Sequence, residues 1–478
     1  MPDDQYLSTP CNIIIVGASG DLTNRKLIPA LFSLHCNNLL PEDTRIFGFA
    51  RTELTDDEFR EKITSNLTCR YVPEGNTCDA YMESFLARCY YHAGAYASKQ
   101  SFDGLAERIR RTHSSEANNL FYMAIPPSLF LDTADSIKQS DMMALNAGDN
   151  WTRVVLEKPF GRDSASSAEL LKAMAQIFEE NQTYRIDHYL GKEVIQNLMI
   201  LRFANLVFEP IWNHHYIEEV SISWSETIGC QGRAGYFDYY GIIRDVMQNH
   251  LLQILALVGM EQPIKLSAEA IRDEKVKLLK CVPPIKLEKL VVGQYTAGEH
   301  EVGYLEDKGV PQDSITPTYA QAELRVDNQR WYGVPFVLTC GKALDSSKTE
   351  IKIKFKPVPY SIFRETAGLE ANVMTIRVQP NEAVELDLVN KLPGFGFDLE
   401  PAKLNLHYSS SFNEIVPDAY ERLLLDVLRG DRSLFLRDDE LAASWDIVTP
   451  ALHALEENRD QPIPYEFGSE GPVEERAV

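Results

Sequence analysis

The run Cys11-Asn-Ile-Ile-Ile-Val16 leads directly into Gly17-Ala-Ser-Gly20-Asp-Leu-Thr23, and a helix-like stretch over 26–35 follows. A short apolar strand that ends in a glycine-rich turn and opens a helix can cradle a pyrophosphate with backbone N–H groups. The spacing is G-x-x-G, with Thr23 where a third small residue would stand. A tight turn that simply needs glycine remains an alternative, but the strand-turn-helix setting favours dinucleotide binding.

Further apolar runs continue the alternation of strand and helix: RIFGFA at 45–50, NLFYMAI at 119–125 and RVVLE at 153–157. This alternation predicts a Rossmann-like, doubly wound parallel sheet, and helical spacing over 163–180 adds a helix that packs on it. Beyond about residue 200 the apolar period becomes two, in segments at 220–224, 351–355, 374–378, 384–388 and 404–406. That period predicts a second, α+β domain with a large, mainly antiparallel sheet. We place a dinucleotide-binding domain at 1–185 and a substrate-binding and oligomerisation domain at 186–478.

The charge balance excludes some classes of protein. The chain has 478 residues, with 70 acidic and 47 basic side chains and a net charge of −23. Such a charge opposes binding to nucleic acids and to anionic membranes, so an anionic ligand needs a few local cations in a pocket. The eight cysteines form no C-x-x-C pair and are predicted to be reduced thiols. The beginning, MPDDQYLSTP, lacks a basic or apolar leader and no apolar run spans a membrane, which predicts a cytoplasmic location.

Two basic residues follow predicted strands and are candidates for binding the cofactor or substrate. Arg51 follows the second strand, where NAD-binding sites usually have a carboxylate, and this favours a 2′-phosphate and hence NADP. The nearby Glu53 leaves NAD open. Lys158 lies in EKPFG, at the carboxyl end of the strand 153–157, where open α/β sheets bind their ligands. A solvated lysine at the end of a strand is the alternative, but the flanking proline and glycine indicate a fixed turn.

The densest cluster of functional side chains is RIDHYLGKE at 185–193. One helical turn would bring His188, Tyr189 and Lys192 onto neighbouring faces, and together they predict an anion pocket. A polar helix start at a domain junction explains the same spacing. A second cluster contains Glu226, Arg233 and GIIRDVMQNH, which ends at His250. A buried core histidine is one interpretation of His250, and a general base oriented by a carboxylate is the other.

Ten motifs together resemble the glucose-6-phosphate dehydrogenase family between residues 17 and 428. They are GASGDL, EKPFG, RIDHYLGKE, RFAN, GYFD, GIIRDVMQNHLLQ, GVPF, CGKAL, RVQPNEAV and PDAYERLLLDV. The resemblance implies NADP-dependent oxidation of D-glucose 6-phosphate to 6-phospho-D-glucono-1,5-lactone, in the oxidative branch of the pentose phosphate pathway. It also implies a homodimer or homotetramer. The implied mechanism requires no metal. Glucose–fructose oxidoreductases and a non-enzymatic NADP sensor are the rivals, and GASGDL, RIDHYLGKE, His250 and Asp187 argue against them.

The resemblance also implies a role for each site residue. His250 is similar to the general base, and Asp187 is similar to its carboxylate partner. His188, Tyr189 and Lys192 resemble the phosphate-binding set. The residues that resemble sugar ligands are Glu226, Asp245, Lys342 and Lys158, and Lys158 also bridges to the cofactor. The residues that resemble cofactor contacts are Gly17, Ser19, Gly20, Asp21, Leu22, Arg51 and Tyr122.

Two departures from the family pattern affect charge. Ser347 stands where some members have arginine, and the neighbouring Lys348 is a candidate replacement. Some animal members hold a second, structural NADP in the C-terminal domain. At matching positions this chain has Thr339, Glu385 and Asp387, and retains Lys348, Lys352 and Arg377 as cations. Because the two carboxylates would repel a phosphate-rich ligand, one NADP per subunit is predicted.

Overall fold

The computed structural model describes residues 4–70, 77–113, 116–145, 150–363, 370–412 and 415–472. Two sheets, of seven and nine strands, organise these residues. The strands are β1 (Cys11–Val16), β2 (Thr44–Ala50), β3 (Cys89–Ala93), β4 (Asn118–Met123), β5 (Thr152–Leu156), β6 (Thr183–Ile186), β7 (Ile217–Ser225), β8 (Leu290–Thr296), β9 (Tyr319–Arg325), β10 (Pro335–Gly341), β11 (Lys348–Phe355), β12 (Val373–Gln379), β13 (Ala383–Lys391), β14 (Leu399–His407), β15 (Phe435–Leu436) and β16 (Ile463–Glu466).

The helices connect these strands in the chain. They are α1 (Ile28–Cys36), α2 (Asp56–Thr64), α3 (Cys78–Leu86), α4 (Lys99–Thr112), α5 (Phe130–Gln139), α6 (Ser164–Met174), α7 (Glu193–Phe203), α8 (Ala234–Ile242), α9 (Leu252–Gly259), α10 (Ala268–Leu279), α11 (Tyr408–Ser411), α12 (Ala419–Arg429) and α13 (Asp438–Asn458). Two wider, π-helical stretches occur, at Thr23–Leu27 and Ile243–Leu251.

The first sheet has the doubly wound order β3-β2-β1-β4-β5-β6, with β15 added beside β6. Strands β1 to β6 pair in parallel, and only β15 is antiparallel. The predicted fold of this part is confirmed. The apolar runs at 11–16, 45–50, 119–125 and 153–157 correspond to β1, β2, β4 and β5. Because the strand order reverses between β1 and β4, a crevice opens at their carboxyl ends.

The second sheet has the order β14-β13-β12-β11-β7-β10-β9-β8-β16 and is antiparallel apart from the β7–β10 and β8–β16 pairs. The two-residue period of the sequence is visible in β11, where Ile351 and Ile353 are buried while Lys352 and Lys354 are exposed. The stretch Ile243–Leu251 packs on the covered face, against β7 and β10. The predicted α+β architecture is confirmed.

The end of the chain returns to the first sheet. Strand β15 pairs with β6, and α12 packs against α1 and against the 3₁₀ turn His188–Gly191. The site residues after β6 are therefore enclosed by segments from both halves of the sequence.

The prediction that all eight cysteines are reduced is wrong for one pair. Cys69 and Cys78 form a disulfide, with their Cα atoms 5.8 Å apart. That separation lies within the range a disulfide spans, and the nine-residue spacing matches no motif that would have revealed the pair. The other six cysteines are free thiols.

Candidate active site

Gly17 begins the turn after β1 with a φ of +96°, and its N–H donates to the Phe49 carbonyl oxygen on β2 at 2.8 Å. A side chain here would place its Cβ 2.2 Å from the Ala124 carbonyl oxygen, so the position requires glycine. Thr23 closes the turn by donating from its hydroxyl to the Gly17 carbonyl oxygen at 3.2 Å. No side chain therefore covers the backbone at Gly17, where a pyrophosphate could approach the start of the helix. The turn fits a dinucleotide for this reason.

Two cations lie beside this turn. Arg51 follows β2 and its guanidinium lies 5.4 Å from the centre of the Tyr96 ring. The next residue, Thr52, donates to the Ser19 hydroxyl at 3.4 Å, which brings Arg51 next to the turn. Lys62 on α2 donates to the Ser19 carbonyl oxygen at 2.8 Å. The sequence motifs gave no indication of Lys62, because its proximity depends on how α2 packs.

The remaining predicted cofactor residues have varied surroundings. Gly20 donates its N–H to the Gly17 carbonyl oxygen at 2.9 Å, and Leu22 precedes the helix. Asp21 is exposed, and its carboxylate lies 2.9 Å from Arg25 Nε. Tyr122 on β4 is buried, and its hydroxyl donates to the Glu157 carboxylate. The Tyr122 hydroxyl is therefore hydrogen-bonded to Glu157, and the Asp21 carboxylate is exposed to solvent.

His250 and Asp187, 63 residues apart in sequence, form a buried pair with 2.5 Å between Nδ1 and Oδ1. Asp187 caps the turn His188–Gly191 and accepts a hydrogen bond from the Tyr189 N–H at 3.0 Å. An ionised carboxylate beside Nδ1 holds the proton on that nitrogen and leaves Nε2 as a free acceptor. This arrangement is the one that a general base requires.

The helix geometry around His250 is unusual. His250 lies in the π-helical stretch Ile243–Leu251, and its N–H donates to the Asn249 side-chain oxygen at 2.8 Å. The Asn249 amide in turn donates to the Arg244 carbonyl oxygen at 2.9 Å. Widened turns of this kind occur often at functional sites, because they redirect side chains out of the regular helical register.

Electrostatics set the protonation of the pair. Burial alone would raise the pKa of Asp187, but the neighbouring His250 and His188 hold that pKa at about 2. Burial lowers the pKa of His250 below its ordinary value of 6.5; the Asp187 carboxylate opposes this shift and the Lys158 ammonium adds to it. At neutral pH, Asp187 is therefore charged and the imidazole of His250 is neutral.

A cavity of about 610 Å³ lies beside this pair. Lys192 Nζ donates to the Gln379 side-chain oxygen at 2.7 Å, and the Gln379 amide donates to the Tyr189 hydroxyl at 3.2 Å. Trp224 Nε1 also donates to that hydroxyl, at 2.6 Å. The ammonium and guanidinium groups that line the cavity belong to Lys26, Arg70 and Lys192, and the carboxylates belong to Glu193, Glu382 and Asp418. The His188 imidazole also lines it, and burial lowers the pKa of that imidazole well below its ordinary value. The cavity thus brings His188, Lys192 and the Tyr189 hydroxyl's partner Gln379 together, and its use as an anion pocket stays a prediction.

Two further ion pairs lie near His250. Lys158 Nζ lies 3.1 Å from Asp245 Oδ1, and Lys342 Nζ lies 2.6 Å from Glu226 Oε2. Burial would raise the pKa of Asp245, but the Lys158 and Lys342 ammonium groups hold it below its ordinary value. Alternating charges of this kind offer both donors and acceptors to a polyol.

The structure brings together side chains that the motifs did not single out. Gln379 stands between Lys192 and Tyr189, and Tyr420 stacks on His188 with 6.1 Å between ring centres. Gln379 belongs to RVQPNEAV and Tyr420 belongs to PDAYERLLLDV, two of the motifs that carry the resemblance. Membership of these motifs was the sequence feature that could have indicated both residues. Glu157 is placed beside Tyr122, and burial raises its pKa to about 7.

Ser347 and Lys348 differ in where they point. The Ser347 hydroxyl accepts a hydrogen bond from the Thr227 N–H at 2.9 Å, next to Glu226. Lys348 is partly exposed and lies 3.6 Å from Glu350. Ser347 thus lies at the edge of the site, while Lys348 belongs to the outer surface of β11.

Among the described residues, one group of three potential metal ligands occurs, formed by Asp187, His188 and His250. These are the carboxylate and imidazole groups of the base site. A Rossmann-type domain, a glycine turn with an exposed backbone and a buried His–Asp pair beside a polar cavity are together typical of a nicotinamide-dependent dehydrogenase.

Comparisons with known proteins identify the family. The model of the glucose-6-phosphate dehydrogenase NAD-binding domain matches residues 14–197, and the model of the C-terminal domain matches residues 199–478. The chain therefore belongs to the glucose-6-phosphate dehydrogenase family, which consists of oxidoreductases.

Individual relatives match over almost the whole chain. Glucose-6-phosphate 1-dehydrogenase 3, chloroplastic, from Arabidopsis thaliana is 49% identical over 98% of this chain and 79% of its own length. Glucose-6-phosphate 1-dehydrogenase from Dictyostelium discoideum is 47% identical over 98% of this chain and 93% of its own length. A solved glucose-6-phosphate dehydrogenase in complex with its substrate glucose 6-phosphate is 40% identical, with a TM-score of 0.91 over 98% of this chain and 96% of that chain.

The predicted cytoplasmic location is wrong by these comparisons. The relatives from Arabidopsis thaliana, Spinacia oleracea, Nicotiana tabacum and Solanum tuberosum, at 47–49% identity, are named as chloroplastic proteins. The prediction rested on the lack of a leader in the first ten residues, and such an absence carries no positive information about location. Within the described residues, the helices are too short or too polar to cross a bilayer.

Proposed function

We propose that this protein catalyses the NADP-dependent oxidation of D-glucose 6-phosphate at C1 to 6-phospho-D-glucono-1,5-lactone. Family membership gives the substrate and the class of reaction. The observation that carries the mechanism is the buried His250–Asp187 pair, which lies close to His188 of the cavity and to the Lys158–Asp245 ion pair. The lactone product would enter the oxidative branch of the pentose phosphate pathway.

His250 acts as the general base in this mechanism. Its Nε2 takes the proton of the sugar C1 hydroxyl, and the charge that develops on the imidazole is balanced by Asp187 across the 2.5 Å hydrogen bond. A bound nicotinamide cofactor would accept the hydride from C1. Glu226 and Asp245 accept hydrogen bonds from the sugar hydroxyls, and Lys158 and Lys342 donate to sugar oxygens. Lys158 also extends toward the crevice that receives the cofactor.

His188, Tyr189 and Lys192 hold the phosphate. Lys192 is partly buried, and burial lowers its pKa while Asp418 and Glu382 oppose this shift. The Gln379 amide that now bonds to Lys192 lies where an incoming phosphate oxygen would compete for the same ammonium. Phosphate binding would thus exchange one neutral partner of Lys192 for a charged one, which is the stronger acceptor.

We assign the cofactor as NADP, bound by Gly17, Ser19, Gly20, Asp21, Leu22, Arg51 and Tyr122. The exposed guanidinium of Arg51 and the ammonium of Lys62 beside Ser19 support a 2′-phosphate partner. The exposed Glu53 lies farther along the same loop and is the remaining argument for NAD.

Replacing Arg51 by alanine is expected to lower kcat/KM for NADP about tenfold, since one charged hydrogen-bond partner of the 2′-phosphate is lost. The value for NAD should change little, because the shared contacts with the turn stay in place. Initial rates with each cofactor measure the ratio, and Arg459→Ala, an exposed arginine distant in sequence, is the matched control. An unchanged NADP/NAD ratio would remove Arg51 from cofactor recognition.

We propose one NADP per subunit. On the outer face of the second sheet, Glu385 lies 2.9 Å from both Arg377 and Lys403, and Asp387 lies 3.5 Å from Lys403. The cations on this face thus already have carboxylate partners, and the carboxylates oppose a nucleotide. Titration calorimetry with NADP should give a stoichiometry of one per subunit. Two sites per subunit would contradict this assignment.

We also propose the division into a dinucleotide-binding domain, 1–185, and a substrate-binding and oligomerisation domain, 186–478. The family models meet between residues 197 and 199, and β6 ends at Ile186. The protein would assemble as a homodimer or homotetramer through the nine-stranded sheet, at its β14 edge. Exposed apolar side chains on β14, Leu404 and Leu406, support that surface, and sedimentation distinguishes the two states.

The direct test of the function follows reduction of the nicotinamide by its ultraviolet absorbance. The assay compares glucose 6-phosphate with glucose, and NADP with NAD, using purified protein. Turnover of glucose 6-phosphate with NADP is the expected result. Cofactor binding without turnover of any sugar would instead favour the sensor hypothesis.

A further inference from the structure

The loop that carries Lys342 is unusual because its backbone is held from three sides. The N–H groups of its four residues, 342–345, all donate to other segments. Lys342 donates to the Thr318 carbonyl oxygen at 3.0 Å, Ala343 to Ile228 at 3.0 Å, Leu344 to Glu226 at 2.9 Å and Asp345 to Ser469 at 2.8 Å. One of the three segments that hold the loop is therefore the C-terminal stretch after β16.

The same stretch also binds the carbonyl side of the loop. The buried Tyr465 on β16 donates from its hydroxyl to the Lys342 carbonyl oxygen at 2.7 Å, and Gly468 donates its N–H to the Ala343 carbonyl oxygen at 2.8 Å. The Tyr465 hydroxyl also lies 2.8 Å from Thr318 Oγ1, which fixes its direction. We call residues 465–469 the C-terminal clasp.

The clasp contacts a residue with an uncommon backbone conformation. Ala343 has a φ of +54°, in the left-handed region that residues with a Cβ rarely occupy. Hydrogen bonds on both its N–H and its carbonyl keep it there. Because the direction of the Lys342 side chain depends on this loop, its ammonium is aimed at Glu226, 2.6 Å away, and over the Trp224 ring.

We propose that Tyr465 is a positioning residue for substrate binding, which acts through the Lys342 backbone to aim the Lys342 ammonium at the hydroxyl oxygens of the sugar. This inference rests on the proposed assignment of Lys342 to the substrate. Tyr465 itself does not touch the reacting atoms. Its role is distinct from packing, because the hydroxyl, rather than the ring, makes the contact with the loop.

Tyr465→Phe in the full-length protein keeps the ring and removes the hydroxyl. The expected result is a KM for glucose 6-phosphate that is roughly 3- to 10-fold higher, the range for loss of one buried hydrogen bond, with kcat and the KM for NADP nearly unchanged. Tyr304→Phe is the matched control. It removes another buried hydroxyl of the same aromatic cluster, one that donates to Asp238 at 2.8 Å, and should leave KM unchanged.

Two further variants separate the possible outcomes. In Lys342→Ala, adding Tyr465→Phe should raise KM no further, since the hydroxyl acts through Lys342. Adding Ala343→Gly to Tyr465→Phe should restore KM toward the wild-type value, because glycine adopts the left-handed conformation without strain.

Each result has one meaning. If Lys342→Ala leaves KM for glucose 6-phosphate unchanged, the assignment of Lys342 to the substrate is wrong. If Lys342→Ala raises KM while Tyr465→Phe does not, the clasp proposal alone is overturned. Equal loss of stability and activity in Tyr465→Phe and Tyr304→Phe would also overturn it, since that pattern reports packing.

Discussion

Replacing His250 by asparagine is expected to lower kcat for glucose 6-phosphate by about 10²–10⁴-fold, the usual contribution of a positioned general base. Asparagine can still donate to Asp187, but it offers no basic nitrogen to the C1 hydroxyl. KM should change little, because the phosphate contacts lie on Lys192 and its neighbours. Steady-state kinetics measures both parameters, and His300→Asn, an exposed histidine in the loop after β8, is the matched control.

The pH profile gives the same prediction a second readout. Activity requires the neutral imidazole, and the pKa of His250 lies below its ordinary value of 6.5 because burial disfavours the charged ring. In the wild-type protein, kcat/KM should therefore stay level as the pH falls through 6.5 and decline only below it. In His250→Asn this acidic limb should vanish. A variant with near-wild-type turnover and an unchanged acidic limb would exclude His250 as the base.

Lys192→Ala is expected to lower kcat/KM for glucose 6-phosphate roughly 10- to 100-fold, the range for loss of a hydrogen bond to a charged group. The change should lie mainly in KM, since the phosphate contact is equally strong in the ground and transition states. The slow turnover of unphosphorylated glucose should be nearly unaffected, because that substrate has no phosphate for Lys192 to bind.

A matched control for this experiment is Lys172→Ala, which removes an exposed ammonium on α6. It should leave both substrates unchanged. Equal losses on glucose 6-phosphate and on glucose in Lys192→Ala would show that Lys192 supports the fold of the cavity rather than binding the phosphate. Binding of inorganic phosphate, followed by calorimetry, should weaken in Lys192→Ala only.

Tertiary packing changed the interpretation of several residues. Tyr122, which resembles a cofactor contact, is buried and donates to Glu157, a partner that no spacing argument had raised. Lys348 was a candidate replacement for a missing arginine, and it lies instead beside Glu350 on the outer surface. The sequence motif identified the residue types in each case, but the direction of each side chain follows from the strands around it.

The sequence alone determined the two-sheet architecture, and its motifs named the residues of the proposed base. Strands such as β1 can be predicted because they are buried on both faces and therefore form a continuous apolar run. Strands of the second sheet such as β11 can be predicted because one face is exposed to solvent, which produces a two-residue period. These are local constraints. The residue types of the RIDHYLGKE and GIIRDVMQNH motifs likewise gave the imidazole and its carboxylate partner.

Only the tertiary structure decided which distant groups meet. Lys192 and Gln379 are 187 residues apart, Lys342 and Tyr465 are 123 apart, and each pair forms one hydrogen bond. Cys69 and Cys78 are close in sequence, but they match no motif. Contacts between distant segments depend on strand order and on how the C-terminal segment returns to both sheets. The apolar period of a segment does not indicate the strand order or the path of the C-terminal segment. It shows which face of one element is buried, and it does not show which elements lie beside it.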